Sequence, residues 1–242
     1  MDLTQLRSRY DQHYAELTNS HEATEAAHLA VGGDFVAVGT LEYYALKAHG
    51  LRPDHFVVDI GCGTGRLAFQ LAERGHERYA GFDIMASAVS YARKTCGRPD
   101  WEFGVTDGLR IPVLNSTADF ASFFSVFTHV AHEHTYLYLE EARRLLRPGG
   151  LVVFTFLEFG IPSHWAQFES AVRGFGLNRE PIVFLDRNAI VRIAEQLGYE
   201  VLALVDGDKP TFPIDEEIIT AGGVVMQGRG YLGQSLSVLR KR

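Results

Sequence analysis

Residues 57–67 have the sequence VVDIGCGTGRL, in which a short apolar run leads into three closely spaced glycines. Glycine adopts backbone angles that other residues avoid, so this order predicts a strand over 56–60, a tight turn and then a helix ending at Gly75. The start of such a helix presents unpaired backbone N–H groups. The stretch therefore predicts a ligand-binding loop at the end of a strand.

The sequence on either side alternates between short apolar runs and segments of helical period. The predicted strands lie at 79–82, 101–105, 119–124, 151–156, 200–205 and 234–240. The predicted helices lie at 87–94, 135–146 and 188–197. This alternation is typical of a parallel sheet covered by helices on both faces. The last two strands suggest a hairpin-like antiparallel strand at one edge of that sheet.

The rest of the chain is organised around this core. Residues 1–50 are predicted to be mainly helical, with an interruption at 31–34, and to form a cap. Residues 51–242 form the predicted core, so that 1–242 is a single domain. Segments 160–186 and 206–233 do not fit the alternation, and we interpret them as insertions near the substrate.

Bulk properties exclude several classes of protein. The chain has 242 residues, 46% of them apolar, and a net charge of −7, which disfavours a nucleic-acid partner. Two cysteines form neither a disulfide framework nor a four-cysteine metal site. The start lacks the apolar core of a signal peptide, and no apolar run approaches the roughly 20 residues of a membrane span. These properties predict a soluble cytoplasmic protein, while the oligomeric state stays open.

Two acidic residues accompany the glycine loop. Asp59 lies two residues before the first glycine, and Asp83 ends the second predicted strand. The ends of neighbouring parallel strands meet at the ligand crevice of a doubly wound sheet, where a carboxylate accepts hydrogen bonds from both hydroxyls of a ribose. The alternative is that Asp83 caps the helix that follows it. We interpret Asp83 as a ribose-binding residue.

Longer stretches resemble a known family. VVDIGCGTGRLA followed by GFDIMASAVSYAR resembles motif I and the acidic post-strand motif of class I S-adenosylmethionine (SAM) dependent methyltransferases. ADFASFFSVFTHV, YLEEARRLLRPGGLVVFTF and GQSLSVLRK resemble later elements of that family. The resemblance implies an α/β fold with a doubly wound, mostly parallel seven-stranded Rossmann-like sheet and an antiparallel last strand. It implies methyl transfer from SAM, with S-adenosylhomocysteine as the product.

The same resemblance assigns residues to the cofactor. At the methionine end it places Asp59, Gly61, Cys62, Gly63, Thr64 and Gly65. Around the ribose and adenine it places Asp83, Ile84, Met85, Asp107 and Gly108. Near the sulfonium it places Phe124 and Ser125. The segment SVFTH is similar to the corresponding segment of small-molecule and sugar methyltransferases of bacterial biosynthetic clusters. This similarity implies a small acceptor and favours O-methylation of a sugar or secondary metabolite.

Three histidines follow the fourth strand, where a general base would be needed. His129, His132 and His134 are the candidates, although each could instead be structural or belong to a helix start. Their spacing with Glu133 does not match the i, i+4 histidine pair of a helical zinc site, so no metal is predicted.

Other functions remain open at this point. Within methyl transfer, these are N- or C-methylation of a small molecule and methylation of a protein. A non-catalytic SAM-binding protein and an NAD-dependent oxidoreductase are the alternatives outside it. Against the oxidoreductase, Arg66 replaces the third glycine of GxGxxG, and Asp59 has no role in that interpretation.

Overall fold

A computed structural model describes residues 3–32, 34–106, 109–174 and 182–242. The helices in these ranges are α1 (Leu3–Ser20), α2 (Ala23–Leu29), α3 (Phe35–Ala48), α4 (Arg66–Glu73), α5 (Ala86–Cys96), α6 (His132–Leu145), α7 (Pro162–Arg173) and α8 (Arg187–Gln196). The strands are β1 (Phe56–Ile60), β2 (Arg78–Asp83), β3 (Glu102–Val105), β4 (Ala118–Phe123), β5 (Leu146–Phe156), β6 (Tyr199–Val205), β7 (Phe212–Pro213), β8 (Ile218–Ile219), β9 (Val225–Met226), β10 (Arg229–Gly230) and β11 (Ser235–Lys241). None of the described helices combines the length and apolar character needed to cross a membrane.

Seven strands form the central sheet in the order β3-β2-β1-β4-β5-β11-β6. Neighbouring strands from β3 to β5 are parallel, and β11 runs antiparallel to both β5 and β6. The predicted α/β fold, with an antiparallel last strand, is confirmed. The expected position of that strand at the sheet edge is wrong. Residues 235–239 are all buried, and β11 pairs on both sides, so β6 is the edge strand.

Helices cover the sheet on both faces because neighbouring residues of a strand point in opposite directions. Val58 of β1 packs into a core built with α1, α6 and α8. Val57, the residue before it, packs into the opposite core with α3, α4 and α5. The two cores hold the carboxyl ends of β1, β2 and β4 together at one edge of the sheet.

Two boundaries in the middle of the chain differ from the sequence prediction. The helix predicted over 135–146 begins earlier, at His132. The strand predicted from Leu151 begins at Leu146 and runs through Pro148 and the two glycines after it. An irregularity in pairing between Ala118 and Phe120 of β4 accommodates the extra residues, so the sequence that indicated a break lies inside the strand.

The two predicted insertions contain regular structure. α7 lies in segment 160–186, and His164 is its one buried residue. Trp165, Phe168 and Val172 recur at helical spacing, a signal that the sequence prediction did not use. Residues 175–181 lie outside the described residues. Segment 206–233 forms two small antiparallel pairs, β7 with β10 and β8 with β9. The buried Phe212 and Ile218 of this segment belong to the core that contains α3.

Gly39 allows α3 and α4 to approach each other closely. A Cβ atom at this position would lie 2.5 Å from the backbone oxygen of Arg66, the first residue of α4. Glu42 follows Gly39 by three residues and therefore faces the same side of α3. The glycine thus brings Glu42 to the start of α4.

We expect Gly39→Ala to lower the free energy of unfolding. Overpacking costs about 1–3 kcal/mol, which outweighs the roughly 1 kcal/mol by which alanine favours a helix over glycine. Chemical denaturation measures the change. Gly160→Ala is the matched control, because nothing lies within 4 Å of a Cβ at Gly160, and it should change stability by less than about 0.5 kcal/mol. Equal effects in the two variants would contradict the close approach of α3 and α4.

Candidate functional site

A cavity of about 460 Å³ lies at the carboxyl ends of β1, β2 and β4. The glycine loop after β1 forms its floor, and Asp83 at the end of β2 lies beside that loop. Leu6 and Tyr10 of α1 also line the cavity, together with Val31 of the segment between α2 and α3. The cavity therefore brings residues of the sheet together with residues of the predicted N-terminal cap.

The three glycines of the loop have positive φ angles, of 78° at Gly61, 53° at Gly63 and 87° at Gly65. Side chains rarely adopt this conformation, and each position also lacks space for a Cβ atom. Gly61 and Gly63 line the cavity, whereas Gly65 packs against Ala92 of α5. Thr64 is also absent from the described cavity wall, since its buried hydroxyl donates to the Ala27 carbonyl oxygen at 3.0 Å.

Asp59 is the penultimate residue of β1 and lines the cavity. Its carboxylate accepts hydrogen bonds from the Tyr79 hydroxyl at 2.9 Å and the Ser122 hydroxyl at 2.8 Å. Burial raises the pKa of Asp59 to about 6 despite these bonds. Cys62 also lines the cavity, and burial raises the pKa of its thiol well above the ordinary value, which disfavours a reactive thiolate.

Asp83 lies between the glycine loop and the start of α5. One carboxylate oxygen accepts from the Gly63 backbone N–H at 2.8 Å and the other from the Met85 backbone N–H at 2.9 Å. Burial raises the pKa of Asp83. A carboxylate has about four lone-pair sites, so both oxygens keep acceptor capacity towards the cavity. Ile84 and Met85 line the cavity beside it, whereas Asp107 and Gly108 lie outside the described residues.

Phe124 and Ser125 follow β4 and both line the cavity. Ser125 has a φ of 59°, an uncommon conformation for a residue with a side chain. Its backbone N–H donates to the Thr155 hydroxyl at 2.7 Å, and its own hydroxyl donates to Oε1 of Gln234 at 3.3 Å. The end of β4 is thus tied to β5 and to the residue before β11.

The three candidate histidines lie in different places. His129 lines the cavity and makes an edge-to-face contact with Tyr10, with ring centroids 6.0 Å apart. His132 and His134 are on the first turn of α6 and are not in the described cavity wall. The His132 ring lies 2.9 Å from the Phe184 carbonyl oxygen. Within the described residues, no group of three or more His, Cys, Asp or Glu side chains is arranged to hold a metal ion.

Arg66 and Glu42 were not predicted as site residues, yet both line the cavity. Nε of Arg66 donates to the Glu42 carboxylate at 2.7 Å. Burial raises the pKa of Glu42 to about 7, although Arg66 opposes the rise. The sequence did offer one signal for Glu42, because it is the single acidic residue in the mostly apolar segment FVAVGTLEYYALKA of α3. Thr155 and Gln234 were also missed, because they lie far from the glycine loop in sequence.

Comparisons with known proteins identify relatives. Residues 57–150 match the family model described as a methyltransferase domain. The chain is 26% identical over 208 residues to the biotin biosynthesis bifunctional protein BioHC of Cellvibrio japonicus, covering 84% of this chain and 37% of that protein. It is 26% identical over 188 residues to the malonyl-[acyl-carrier protein] O-methyltransferase of Hahella chejuensis, covering 76% of this chain and 63% of that protein. The chain thus spans less than two thirds of these relatives.

Among solved structures, magnesium protoporphyrin IX methyltransferase from Synechocystis PCC 6803 with bound SAH is similar over the full length of both chains. The TM-score is 0.66 and the sequence identity is 15%. At this identity the likeness concerns the fold alone.

The raised pKa of Glu42 predicts how stability depends on pH. A carboxyl whose pKa is higher in the folded state contributes stability at low pH and loses it as pH rises through the folded value. We therefore expect Glu42→Gln to gain stability relative to the wild type, by on the order of 1–3 kcal/mol, as pH rises from about 5 to 8. Urea denaturation across this range measures the difference. Glu200→Gln, at an exposed position, is the control, and a pH-independent difference for Glu42→Gln would contradict the prediction.

Proposed function

We propose that this chain, which carries a class I SAM-dependent methyltransferase domain, transfers the methyl group of SAM to a small organic acceptor. The family match over residues 57–150 and the seven-stranded sheet confirm the predicted class I resemblance. The observation that carries the proposed activity is the convergence of Asp59, Gly61, Gly63 and Asp83 on one cavity. A hydroxyl of a sugar or other secondary metabolite is the acceptor that we propose first.

The charges of the cavity support SAM over NAD. Its described wall contains three carboxylates, those of Glu42, Asp59 and Asp83, and a single arginine or lysine, Arg66. SAM carries a positive sulfonium, a positive ammonium and a negative carboxylate at neutral pH. The pyrophosphate of NAD would place two negative charges among these acids, which costs Coulomb energy in a partly buried site. This balance is a third argument against the oxidoreductase.

The residues present fit the parts of SAM. Asp83 has acceptor capacity on both oxygens for two ribose hydroxyls, and Ile84 and Met85 provide an apolar surface beside it for adenine. Gly61 and Gly63 let the methionine end approach the backbone, close to Asp59. When bound, SAM supplies a methyl group already activated by its sulfonium. The task of the protein is then to hold the acceptor in line with that methyl group and to exclude water.

We propose His129 as the general base for a hydroxyl acceptor. It lies in the cavity wall, where a neutral imidazole could take the hydroxyl proton as the methyl group is transferred. His132 and His134 lie on the first turn of α6, which supports the alternative that they are structural residues of the helix start. The relative from Hahella chejuensis is named an O-methyltransferase, which supports oxygen as the methylated atom. Methylation of a protein is an outcome that the substrate experiment below distinguishes, and isolating the labelled small molecule would identify nitrogen or carbon as the methylated atom instead.

Asp83→Ala should weaken SAM binding by about 1–3 kcal/mol, because charge-assisted hydrogen bonds to the ribose are lost. Isothermal titration calorimetry measures the affinity. Asp54→Ala, at an exposed position before β1, is the control and should leave the affinity unchanged. Unchanged SAM affinity in a folded Asp83→Ala protein would remove the ribose assignment.

His129→Ala should leave SAM affinity nearly unchanged and lower the rate of methyl transfer by roughly 100-fold or more, as loss of a general base does. Rates are measured by transfer of labelled methyl groups. His132→Ala and His134→Ala are matched controls and should retain most of the activity. A His129→Ala protein with full activity would exclude this residue as the base.

Incubating the protein with labelled SAM and a fractionated lysate of its host tests the proposed function. We expect label in the small-molecule fraction, with Asp83→Ala as the blank. Label in the protein or nucleic-acid fraction would overturn the substrate class but keep the methyltransferase. Bound S-adenosylhomocysteine without any transfer above the blank would favour the non-catalytic alternative.

A further inference from the structure

Arg66 has an unusual position for a charged residue. It is the first residue of α4, directly after the last glycine of the loop, and its side chain is only 13% exposed. It supplies the one permanent positive charge among the described residues of the cavity wall. A buried arginine among three carboxylates needs either a structural or a ligand-binding explanation.

Two strong interactions orient the Arg66 guanidinium. Nε donates to Glu42 of α3 at 2.7 Å, and Nη1 donates to the backbone oxygen of Val31 at 2.8 Å. Both partners belong to the N-terminal segment. These bonds engage two of the three guanidinium nitrogens and fix the orientation of the planar group, so the position of the remaining nitrogen, Nη2, is also fixed.

Nη2 has the weakest partner of the three nitrogens. Its donation to the Ser125 hydroxyl spans 3.4 Å, which is beyond the usual range of an N–H···O bond. Ser125 lines the cavity next to Phe124, and the Ser125 hydroxyl also donates to Gln234. Nη2 carries two N–H groups, and its long contact with Ser125 engages at most one of them. Nη2 therefore keeps donor capacity at the cavity.

We propose that Nη2 of Arg66 binds the carboxylate of the methionine moiety of SAM, making Arg66 a positioning residue for the cofactor. The inference rests on the proposed function and extends it to a residue outside the glycine and acidic motifs. The negative group of the ligand goes to the one arginine, while its ammonium and sulfonium lie among the acids. Glu42 holds the guanidinium in place, so the carboxylate meets a preoriented donor.

The alternative explanation is structural. The Arg66–Glu42 pair joins α4 to α3, and it could do so without contacting any ligand. Single substitutions do not separate the two roles cleanly, because removing Arg66 alone leaves Glu42 buried and unpaired. A variant that replaces both residues by glutamine avoids this difficulty, because neither partner is left behind.

The test compares SAM with decarboxylated SAM, which lacks only the carboxylate. Calorimetry should show that the wild type binds SAM at least about tenfold more tightly, as expected for loss of a hydrogen bond between charged groups. In Glu42→Gln/Arg66→Gln the ratio of the two affinities should fall to within about threefold of one. A purely structural pair would change both affinities together and leave the ratio unaltered.

Glu200→Gln/Arg240→Gln removes an exposed ion pair between β6 and β11 and is the matched control, with the wild-type ratio expected. If the double cavity variant does not fold, Arg66→Lys replaces it and should give a clearly reduced ratio. Equal binding of both ligands by the wild type would overturn the role of Arg66 and leave the proposed function standing. Binding of neither ligand by the wild type would overturn both.

Discussion

The turn between β1 and α4 leaves no room for a Cβ atom at its three glycines, and the site depends on this constraint. A Cβ atom at Gly61 would clash with Val126, which follows β4. One at Gly63 would clash with Val31 of the N-terminal segment, and one at Gly65 with Ala92 of α5. Three parts of the chain therefore converge on one short loop. Because the loop has no side chains at these positions, Gly61 and Gly63 line the cavity with their backbone, beside the carboxylate of Asp83.

Charge is the second feature that shapes the site. Burial raises the pKa values of Glu42, Asp59 and Asp83, so their ionised forms are costly to hold in the folded protein. A ligand with positive groups offsets this cost, and Arg66 provides the complementary position for a negative group. We expect this arrangement to lower stability at neutral pH and to suit the binding of SAM, as when stability is given up at a functional site.

The sequence predicted the parts of the site that depend on local signals. The glycine turn, the flanking strands and the carboxylates at their ends follow from a few consecutive residues. The pairing of Arg66 with Glu42 did not follow, because it depends on how closely α3 packs against α4. β11 was misplaced because its position depends on pairing across the whole sheet. Tertiary packing decides each of these features.

The central claim is that the cavity binds an adenosyl amino acid rather than a dinucleotide. Calorimetric titration of the purified protein with S-adenosylhomocysteine and, separately, with NAD tests it most directly. We predict saturable binding of S-adenosylhomocysteine at one site per chain and no binding of NAD at the same concentrations. Binding of NAD without binding of S-adenosylhomocysteine would contradict the assignment of the glycine loop, the acidic residues and Arg66 together.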